Sequence, residues 1–409
     1  MMEKLGEYCK IISGYAFKST DLANGTEIPV IKIGNISNGN DVILDNSTQY
    51  VSKEFLSIDE KYHVKKGDVL ISLTGSHINQ PNSMVGRSCR NFSDTEFLLN
   101  QRAGKVLPNK KADKNYLYYL LNTESFKYSI CNRAYGAANQ ANVSPSDIEN
   151  IKWTFPPLPT QQKIASILSC YDNLIQNYKK QIEALQTAAS ELYKEWFVRF
   201  RFPGYQTAKF ENGIPVGWKV SRLKDFGKII TGKTPPTDKE EFYGNHLMFV
   251  KTPDMHGKMF VQTTSEYLSE TGMKYQRAQF IPENSIMVSC IGTGGVTAIN
   301  AYPANTNQQI NSIILDDIIN LPWLFFTVSN MKETIEMFGN TGTTMTNLSK
   351  GKFEKLKVLK PEDGIIKNFS IIVTPIFENL KNINLQITNL TQQRDLLLPR
   401  LMSGKLEVK

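Results

Sequence analysis

Apolar residues recur at alternating intervals of four and three positions in two long stretches of the chain. The first series comprises Ile164, Leu168, Tyr171, Ile175, Tyr178, Ile182, Leu185, Ala189, Leu192 and Trp196. Adding 205 to each number gives the second series, Phe369, Val373, Ile376, Leu380, Ile383, Ile387, Leu390, Arg394, Leu397 and Leu401, in which Arg394 alone is not apolar. A strict 3.5-residue period is typical of a coiled-coil seam. The sequence therefore predicts two helices of about 33 residues, each roughly 50 Å long.

Proline and glycine mark the expected ends of both helices. The first helix follows 155–162 (FPPLPTQQ), where Thr160 is a candidate N-cap, and is expected to end near 202–204 (FPG). The second follows 360–364 (KPEDG) and is expected to end near 403–404. Pro375 should kink the second helix or delay its start, because proline lacks an N–H and clashes with the preceding turn. One amphipathic helix can lie on its own domain, but two matched seams favour pairing of the helices with each other.

The sequence outside the helices is also duplicated. Segments 10–14 (KIISG), 67–75 (GDVLISLTG), 100–102 (NQR) and 142–144 (NVS) recur in the same order as 228–232 (KIITG), 284–292 (NSIMVSCIG), 307–309 (NQQ) and 347–349 (NLS). Segments 67–75 and 284–292 are typical of buried strands that run into a glycine-containing loop. We therefore predict a mixed α/β (α+β) fold with an internal repeat. The predicted domains are two globules at 1–155 and 203–360, each followed by a long helix, at 156–202 and 361–409.

Composition and charge narrow the class of protein. Of the 409 residues, 41% are hydrophobic and 21% charged, which excludes a disordered or collagen-like chain. No apolar run approaches the roughly 18 residues of a membrane span, the first residues lack the layout of a signal peptide, and the five cysteines form no C-x-x-C pair. We expect a cytoplasmic protein that binds no membrane. The net charge of +8 is spread thinly along the chain and permits a polyanionic partner without requiring one.

Familiar catalytic motifs are missing from the sequence. The four histidines (63, 77, 246 and 256) have no metal-binding spacing. Segment 292–295 (GTGG) lacks the lysine of a phosphate-binding loop, and we interpret it as a flexible loop tip. There is no G-x-S-x-G elbow and no Asn-Pro-Pro methyltransferase signature. The acidic pair at 362–363 fits the start of a helix, so we expect no catalytic residue and no bound metal.

Polar loops without acidic residues are found in both halves. Asn and Gln side chains can pair with adenine edges and Arg with guanine, while Lys binds phosphates. The candidate DNA-binding residues of the first half are Lys18, Thr74, Ser76, His77, Asn79, Arg87, Arg90, Arg102, Arg133, Tyr135, Asn139 and Gln140. Those of the second half are Lys233, Thr234, Lys251, Thr293, Gln308, Thr341, Thr343, Thr344, Asn347 and Lys350. Any one of them also fits an ordinary solvated loop, so the hypothesis concerns the loops as groups.

Segment 157–165 (PLPTQQKIA), with Leu168 and the long helix that follows, resembles the specificity subunits of type I restriction-modification enzymes. The resemblance extends over almost the whole chain, including 28–30 (IPV), 35–36 (NI), 67–72 (GDVLIS) and the duplicated globule and helix. The second helix departs from it, because 361–364 (PEDG) stands where the first helix has its Pro-Leu-Pro and because Pro375 interrupts the seam.

The resemblance implies two target-recognition domains that each bind one half of a split, asymmetric site in double-stranded DNA. It implies that the two helices pair as an antiparallel coiled coil, which relates the halves by a pseudo-two-fold axis and holds the domains apart. The implied subunit is not an enzyme and binds no cofactor. Its partners are two methyltransferase subunits, which carry S-adenosylmethionine, and restriction (translocase) subunits, which use ATP and Mg²⁺.

If the coiled coil is a ruler, a four-residue insertion in the first helix adds about 6 Å. The unread DNA gap then grows by roughly one to two base pairs at 3.4 Å each. Two other functions stay open. A coiled-coil scaffold with two protein-binding globules has apolar interfaces and lacks the steep salt dependence of phosphate contacts. A compact DNA-modifying enzyme transfers a labelled methyl group without any partner.

Overall fold

The computed structural model describes residues 2–408 apart from 24, 26, 78–79, 81–83, 138–139 and 340–345. The chain divides into two compact units: Met1–Asn177 together with Asn389–Lys409, and Tyr178–Thr388. Each unit therefore combines one globular segment with part of each long helix. The domain boundaries predicted from the sequence follow chain order and stay a prediction, whereas the units follow packing.

The described residues of the first unit form short strands and three short helices. Its strands are β1 (Glu3–Lys4), β2 (Cys9–Ser13), β3 (Ile28–Ile31), β4 (Gln49–Val51), β5 (His63–Val64), β6 (Val69–Ser72), β7 (Thr74–Gly75), β8 (Ser88–Arg90), β9 (Phe97–Leu99), β10 (Ala103–Pro108), β11 (Tyr135–Ala137), β12 (Gln140–Asn142) and β13 (Lys152–Trp153). Its helices are α1 (Lys114–Asn122), α2 (Glu124–Cys131) and α3 (Pro145–Glu149), followed by the long helix α4 (Leu158–Tyr193).

Two four-stranded sheets form the body of the first unit. One is antiparallel with the order β2-β10-β6-β8, and the other has the order β4-β3-β9-β5 with a parallel β3–β9 pair. Strand β6 is buried along its whole length. Val69 and Ile71 pack in one apolar cluster while Leu70 packs in another, because successive side chains of a strand point to opposite faces. The buried strand predicted at 67–75 is confirmed.

The second unit repeats this plan with a larger central sheet. Its strands are β14 (Phe210–Glu211), β15 (Ile214–Pro215), β16 (Lys219–Arg222), β17 (Gly227–Thr231), β18 (Tyr243–Val250), β19 (Phe260–Val261), β20 (Glu266–Leu268), β21 (Ile286–Ser289), β22 (Ile291–Gly292), β23 (Thr297–Asn300), β24 (Ala304–Thr306), β25 (Ile310–Leu315), β26 (Thr346–Asn347) and β27 (Lys357–Lys360). Its helices are α5 (Thr252–Met255), α6 (Glu270–Tyr275), α7 (Leu321–Ser329), α8 (Lys332–Gly339) and α9 (Lys350–Phe353), followed by the long helix α10 (Asp363–Met402).

The strand order of the two units is equivalent. The sheet β17-β25-β21-β23-β19 repeats β2-β10-β6-β8 with one strand added, and β20-β18-β24 repeats β4-β3-β9 with its parallel pair. The small pair β22–β26 repeats β7–β12. The duplication predicted from the ordered sequence repeats is therefore confirmed at the level of the fold.

Both long helices are present, but the predicted N-cap of the first one is wrong. Helix α4 begins at Leu158, so Thr160 lies inside it and donates its N–H to the carbonyl oxygen of Pro157 at 2.9 Å. It continues after Tyr193 in a π-helical turn, Lys194–Val198. Helix α10 begins at Asp363 and runs through Pro375 without interruption, so the proline does not delay its start, and the kink stays a prediction. Pro375 and Ile371, four residues earlier, are both exposed, so water can satisfy the carbonyl that proline leaves without a donor.

The seam residues meet in both units, with opposite ends of the helices involved. In the first unit Leu168 of α4 shares an apolar cluster with Leu401 of α10, and Leu397 packs against it. In the second unit, the cluster around Phe369 and Val373 of α10 also includes the late residues of α4. The start of α4 pairs with the end of α10, and the end of α4 with the start of α10, so the helices are antiparallel. The other predicted seam residues are buried or half-buried: Tyr171, Ile175, Tyr178, Ile182, Leu185, Leu192, Ile376, Leu380, Ile383, Ile387 and Leu390.

Candidate nucleic-acid interface

The loop 307–309 is the centre of a polar surface in the second unit. The hydroxyl of Thr234 donates to the side-chain oxygen of exposed Gln308, and the hydroxyl of Thr252 donates to Oε1 of Gln309 at 3.2 Å. The backbone N–H of Lys233 donates to Thr306 at 2.9 Å. Three predicted residues, Lys233, Thr234 and Gln308, are thus brought together by hydrogen bonds between neighbouring loops.

A tyrosine beside Lys233 extends this surface and was missed in the sequence. The ammonium of Lys233 lies 5.8 Å from the centre of the Tyr275 ring, and that ring stacks on Phe242 at 4.5 Å. Tyr275 is 51% exposed. An exposed aromatic ring with a lysine above it offers both an apolar and a cationic contact. Nothing in the local sequence indicates this contact, because 42 positions separate the two residues.

The other predicted residues of the second unit have different surroundings. Lys251 is half-buried and forms an ion pair with Glu266, whereas Thr293 and Asn347 are exposed at the β22–β26 pair. Lys350 is exposed and lies 3.6 Å from Glu354 one turn later in the chain. The predicted residues Thr341, Thr343 and Thr344 lie outside the described residues.

The equivalent loop of the first unit is 100–102. The N–H of Gln101 donates to the carbonyl oxygen of Tyr15 at 2.9 Å, and the N–H of Leu73 donates to the carbonyl oxygen of Arg102 at 2.9 Å. The side chain of Arg102 is exposed, as is that of Lys18, three residues after Tyr15. The loop therefore joins the segment that contains Lys18 to the strand end that precedes Thr74.

Two glycines allow these loops to form. A Cβ at Gly14 would lie 2.3 Å from the carbonyl oxygen of Leu99, and one at Gly232 would lie 2.2 Å from that of Thr306. Both distances are far below a van der Waals contact, so a side chain is excluded at either position. The repeated Lys-Ile-Ile-x-Gly segments therefore end in glycine where the chain crosses the backbone of a neighbouring strand.

A three-stranded sheet, in the order β11-β12-β7, brings further predicted residues of the first unit together. Thr74 is buried and its hydroxyl donates to Oδ1 of Asn142 at 2.9 Å. Tyr135, which lies opposite Asn142 on the neighbouring strand, is 59% exposed, and Gln140 is also exposed. Arg133 is exposed just before this sheet. Among the described side chains of this sheet, the exposed ones are an aromatic ring and an amide, both suited to bases.

Three predicted residues of the first unit contact neighbouring groups of the protein. Ser76 is buried and donates its hydroxyl to the carbonyl oxygen of Gln80 at 3.0 Å, and His77 is half-buried beside Cys131. Arg87 donates to the carbonyl oxygen of Ile33 at 3.0 Å.

Arg90 was predicted to bind DNA, but its side chain lies in the core. Its side chain is only 5% exposed and forms an ion pair with Asp172 at 3.1 Å. It also lies over the rings of Phe92 and Tyr118, which leaves almost none of the guanidinium for DNA. Asn79 and Asn139 lie outside the described residues.

Segment 292–295 is not the flexible loop tip that its glycines suggested. Gly294 and Gly295 are buried, and Gly292 and Gly295 have φ angles of +80° and +78°. The hydroxyl oxygen of Ser289 accepts the N–H of Val296 at 3.0 Å across the turn. These glycines permit a tight, packed turn, since positive φ favours glycine.

Four of the five cysteines are buried. Burial raises the pKa of the Cys9 and Cys89 thiols to about 12 and that of Cys290 to about 11, so these thiols stay protonated and weakly nucleophilic near neutral pH. Within the described ranges, no group of three His, Cys, Asp or Glu side chains is placed to hold a metal ion.

Segment 157–165, which carries the family resemblance, contains a glutamine that links α4 to the first globule. Gln161 is fully buried. Its amide nitrogen donates to the carbonyl oxygens of Lys111 and Pro156, and its Oε1 accepts the N–H of Asp113, the N-cap of α1. One glutamine thus ties the start of α4 to the globule before it, a role that the sequence did not reveal.

A family model for the type I restriction modification DNA specificity domain matches residues 1–187 and 215–394. The chain belongs to this family. Each matched segment covers one globule and most of the long helix that follows, which confirms two specificity domains in tandem.

Relatives with this name cover most of the chain. It is 30% identical over 416 residues to the type I restriction enzyme HindI specificity subunit of Haemophilus influenzae, an alignment that covers 85% of this chain and 88% of that protein. It is 26% identical over 369 residues to the MjaIX specificity subunit of Methanocaldococcus jannaschii, with 88% and 84% covered. The crystal structure of a type I restriction-modification S subunit from M. genitalium has the same fold, with a TM-score of 0.61, 15% identity, and 98% and 95% of the two chains covered. Across the part of this specificity-family chain that the structure describes, every helix is too short or too polar to cross a bilayer.

Proposed function

We propose that this chain gives a type I restriction-modification enzyme its DNA sequence specificity. It binds a bipartite, asymmetric site in double-stranded DNA, with one half bound by each unit. The observation that carries the proposal is the pair of equivalent loops, 100–102 and 307–309, whose third residues differ. The N–H of Leu73 donates to the carbonyl oxygen of Arg102, as that of Cys290 does to the carbonyl oxygen of Gln309, at 2.9 and 2.7 Å.

The difference between the loops supports two different half-sites. Exposed Arg102 in the first loop corresponds to half-buried Gln309 in the second, and half-buried Tyr15 beside the first loop corresponds to exposed Lys233 beside the second. An arginine fork matches guanine and an amide matches adenine. A duplicated scaffold with unequal side chains is what an asymmetric DNA site requires.

The remaining parts of the proposal rest on membership of the family. The paired α4 and α10 set the length of the unread gap between the half-sites. Two methyltransferase subunits, with S-adenosylmethionine, and restriction subunits, with ATP and Mg²⁺, bind to this chain and supply the chemistry. The chain is not itself an enzyme, binds none of these cofactors and acts in the cytoplasm.

The test is binding to duplex DNA by the chain co-expressed with its methyltransferase subunit, and by the chain alone, at two salt concentrations. Sequence-selective binding whose affinity falls steeply with salt is expected, because phosphate contacts release counterions. Methylation mapping then identifies both half-sites. Salt-independent association with proteins and no DNA binding would favour a scaffold instead, and methyl transfer by the chain alone would favour an enzyme.

Variants of the two loops sharpen this test. Arg102→Ala is expected to relax selectivity in one half-site and Gln308→Ala in the other, each by about 1–3 kcal/mol per lost base contact. Arg222→Ala is the control, since Arg222 is exposed on β16 and lies outside both loops. Equal loss at both half-sites from either loop variant would contradict the assignment of one half to each unit.

A further inference from the structure

A cluster of charged side chains is buried where the long helices meet the globule of the first unit. The carboxylate of Asp172, in α4, is 4% exposed and lies 2.7 Å from Arg394 of α10 and 3.1 Å from Arg90 of β8. The hydroxyl of Tyr119 donates to the same carboxylate at 2.6 Å. Arg394 is the one residue that breaks the apolar series of the second helix, and its partner lies 222 positions away in the chain.

The equivalent positions of the second unit are apolar. At the repeat offset of 205 residues, Asp172 corresponds to Phe377 and Arg394 corresponds to Ala189. Phe377 is 2% exposed and Ala189 is fully buried, in one apolar cluster.

The globule contributes two further equivalent pairs. Arg90 lies opposite Val69 in the pair β6–β8, and Ile299 lies opposite Ile286 in the pair β21–β23. The sixth residue of α1 is Tyr119, and the sixth residue of α7 is Phe326. Ile299 and Phe326 belong to the same apolar cluster as Phe377. At these four equivalent positions the first unit has charged or hydroxyl side chains, whereas the second unit has apolar ones.

Arg394 is the group that distinguishes the two arrangements. Asp172 of α4 is paired with Arg90 and Tyr119 of the first globule. These two contacts do not depend on which helix end packs beside Asp172. Arg394 has Asp172 and its exposed neighbour Asp395. Burial opposes the charge of Arg394, but its hydrogen bonds and attraction to the two carboxylates raise its pKa above the ordinary value. A buried charge is costly once its partner is removed.

Duplicated helices have an alternative way to pair. The helices α4 and α10 share one seam pattern. The alternative pairing would therefore place the end of α10 from one copy in the second unit of another copy, where the end of α4 normally packs. Arg394 would then occupy the position of Ala189, which is fully buried among apolar side chains. The slot fits a methyl group, so both the size and the charge of arginine oppose this exchange.

We propose that Arg394 is a selectivity residue for helix pairing, which directs the end of α10 into the first unit of its own chain and excludes it from the second unit of another copy. The partner that it excludes is a second copy of this chain. The inference concerns assembly and does not rest on the proposed binding of DNA.

The test is the self-association of full-length variants, measured by sedimentation velocity over a roughly hundredfold range of concentration, since association shifts by mass action. Arg394→Ala copies the residue of the second unit and is expected to raise the association constant about tenfold or more. Arg394→Lys weakens the geometry of the ion pair but keeps a charge, so its association constant should stay near that of the wild type. Arg400→Ala, an exposed position of the same helix, controls for the loss of one positive charge.

Each result decides the proposal. Association by R394A alone supports exclusion by charge and size. An R394A chain that associates no more than the wild type overturns it. Equal association by R394A and R394K also overturns it, because a loosened helix end would then be the cause. Circular dichroism verifies that the helices are intact, and Arg394→Ser, which is also small and uncharged, replaces R394A if that variant does not fold.

Discussion

Lengthening both long helices by one heptad should lengthen the unread gap of the DNA site. Seven residues are inserted in α4 between 177 and 178 and seven in α10 between 388 and 389, where the chain passes from one compact unit to the other. All contacts within each unit are then retained. Seven residues equal two turns of a 3.5-residue seam, so the apolar pattern continues through the insertion.

The expected magnitude follows from helix geometry. Seven residues at 1.5 Å each add about 10.5 Å to both helices. At 3.4 Å per base pair, the gap should grow by about three base pairs. Insertion in one helix alone would leave the added turns without a partner, and a smaller, less regular change in the gap is then expected.

The assay is methylation mapping with the co-expressed methyltransferase subunit on DNA that contains both half-sites at a series of gaps. The control carries the same seven residues at the exposed turn 212–213 between β14 and β15, which lengthens the chain but neither helix, and its gap should stay at the wild-type value. A paired insertion that still methylates sites with the wild-type gap would refute the reasoning that the coiled coil is a ruler.

Three further predictions concern single residues. Gly232→Ala should destabilise the chain by about 2–3 kcal/mol, because its Cβ would lie 2.2 Å from the carbonyl oxygen of Thr306. The measurement is urea unfolding, and the control is Gly351→Ala, where no atom lies within 4 Å of the added Cβ. Equal effects of the two substitutions would contradict the steric argument. Burial lowers the pKa of Lys127 from 10.5 to about 8, so the folded chain binds fewer protons between these values and its stability should rise with pH across this window. Lys127→Met should remove most of a rise of about 3 kcal/mol, and an unchanged pH slope of the unfolding free energy would count against the assignment. Lys233→Ala should weaken DNA binding alike for all sequences and reduce the slope of log affinity against log salt by about one; a sequence-dependent loss would indicate a base contact instead.

Much of the architecture was predictable because it follows from the spacing of apolar residues along the chain. The 3.5-residue seam of Leu168 to Leu192, and its copy from Val373 to Leu397, depends on spacing alone. The buried strands β6 and β21 depend on short apolar runs next to turn residues. The effect of Pro375 within α10 was less predictable, because it depends on whether the carbonyl of Ile371, which proline leaves without a donor, lies on an exposed face.

The candidate interface was predictable as loops and not as individual side chains. Lys233, Thr234 and Gln308 lie together in the structure, but their role in binding DNA stays a prediction. Tyr275 was missed because stacking on Phe242 is a contact between distant segments.

The sequence by itself determined that this protein consists of two similar globules and two long helices that pair along a common seam, since these features follow from periods and repeats along the chain. Only the tertiary structure decided which half of each helix packs on which globule, and which charged residues belong to the core. In the sequence Arg90 is a candidate DNA-binding residue and Arg394 is the exception in an apolar seam. In the structure both pack against Asp172, with 5% and 12% of their side chains exposed. A charge can be buried only beside its partner, and partners 82 and 222 positions apart are brought together by the fold.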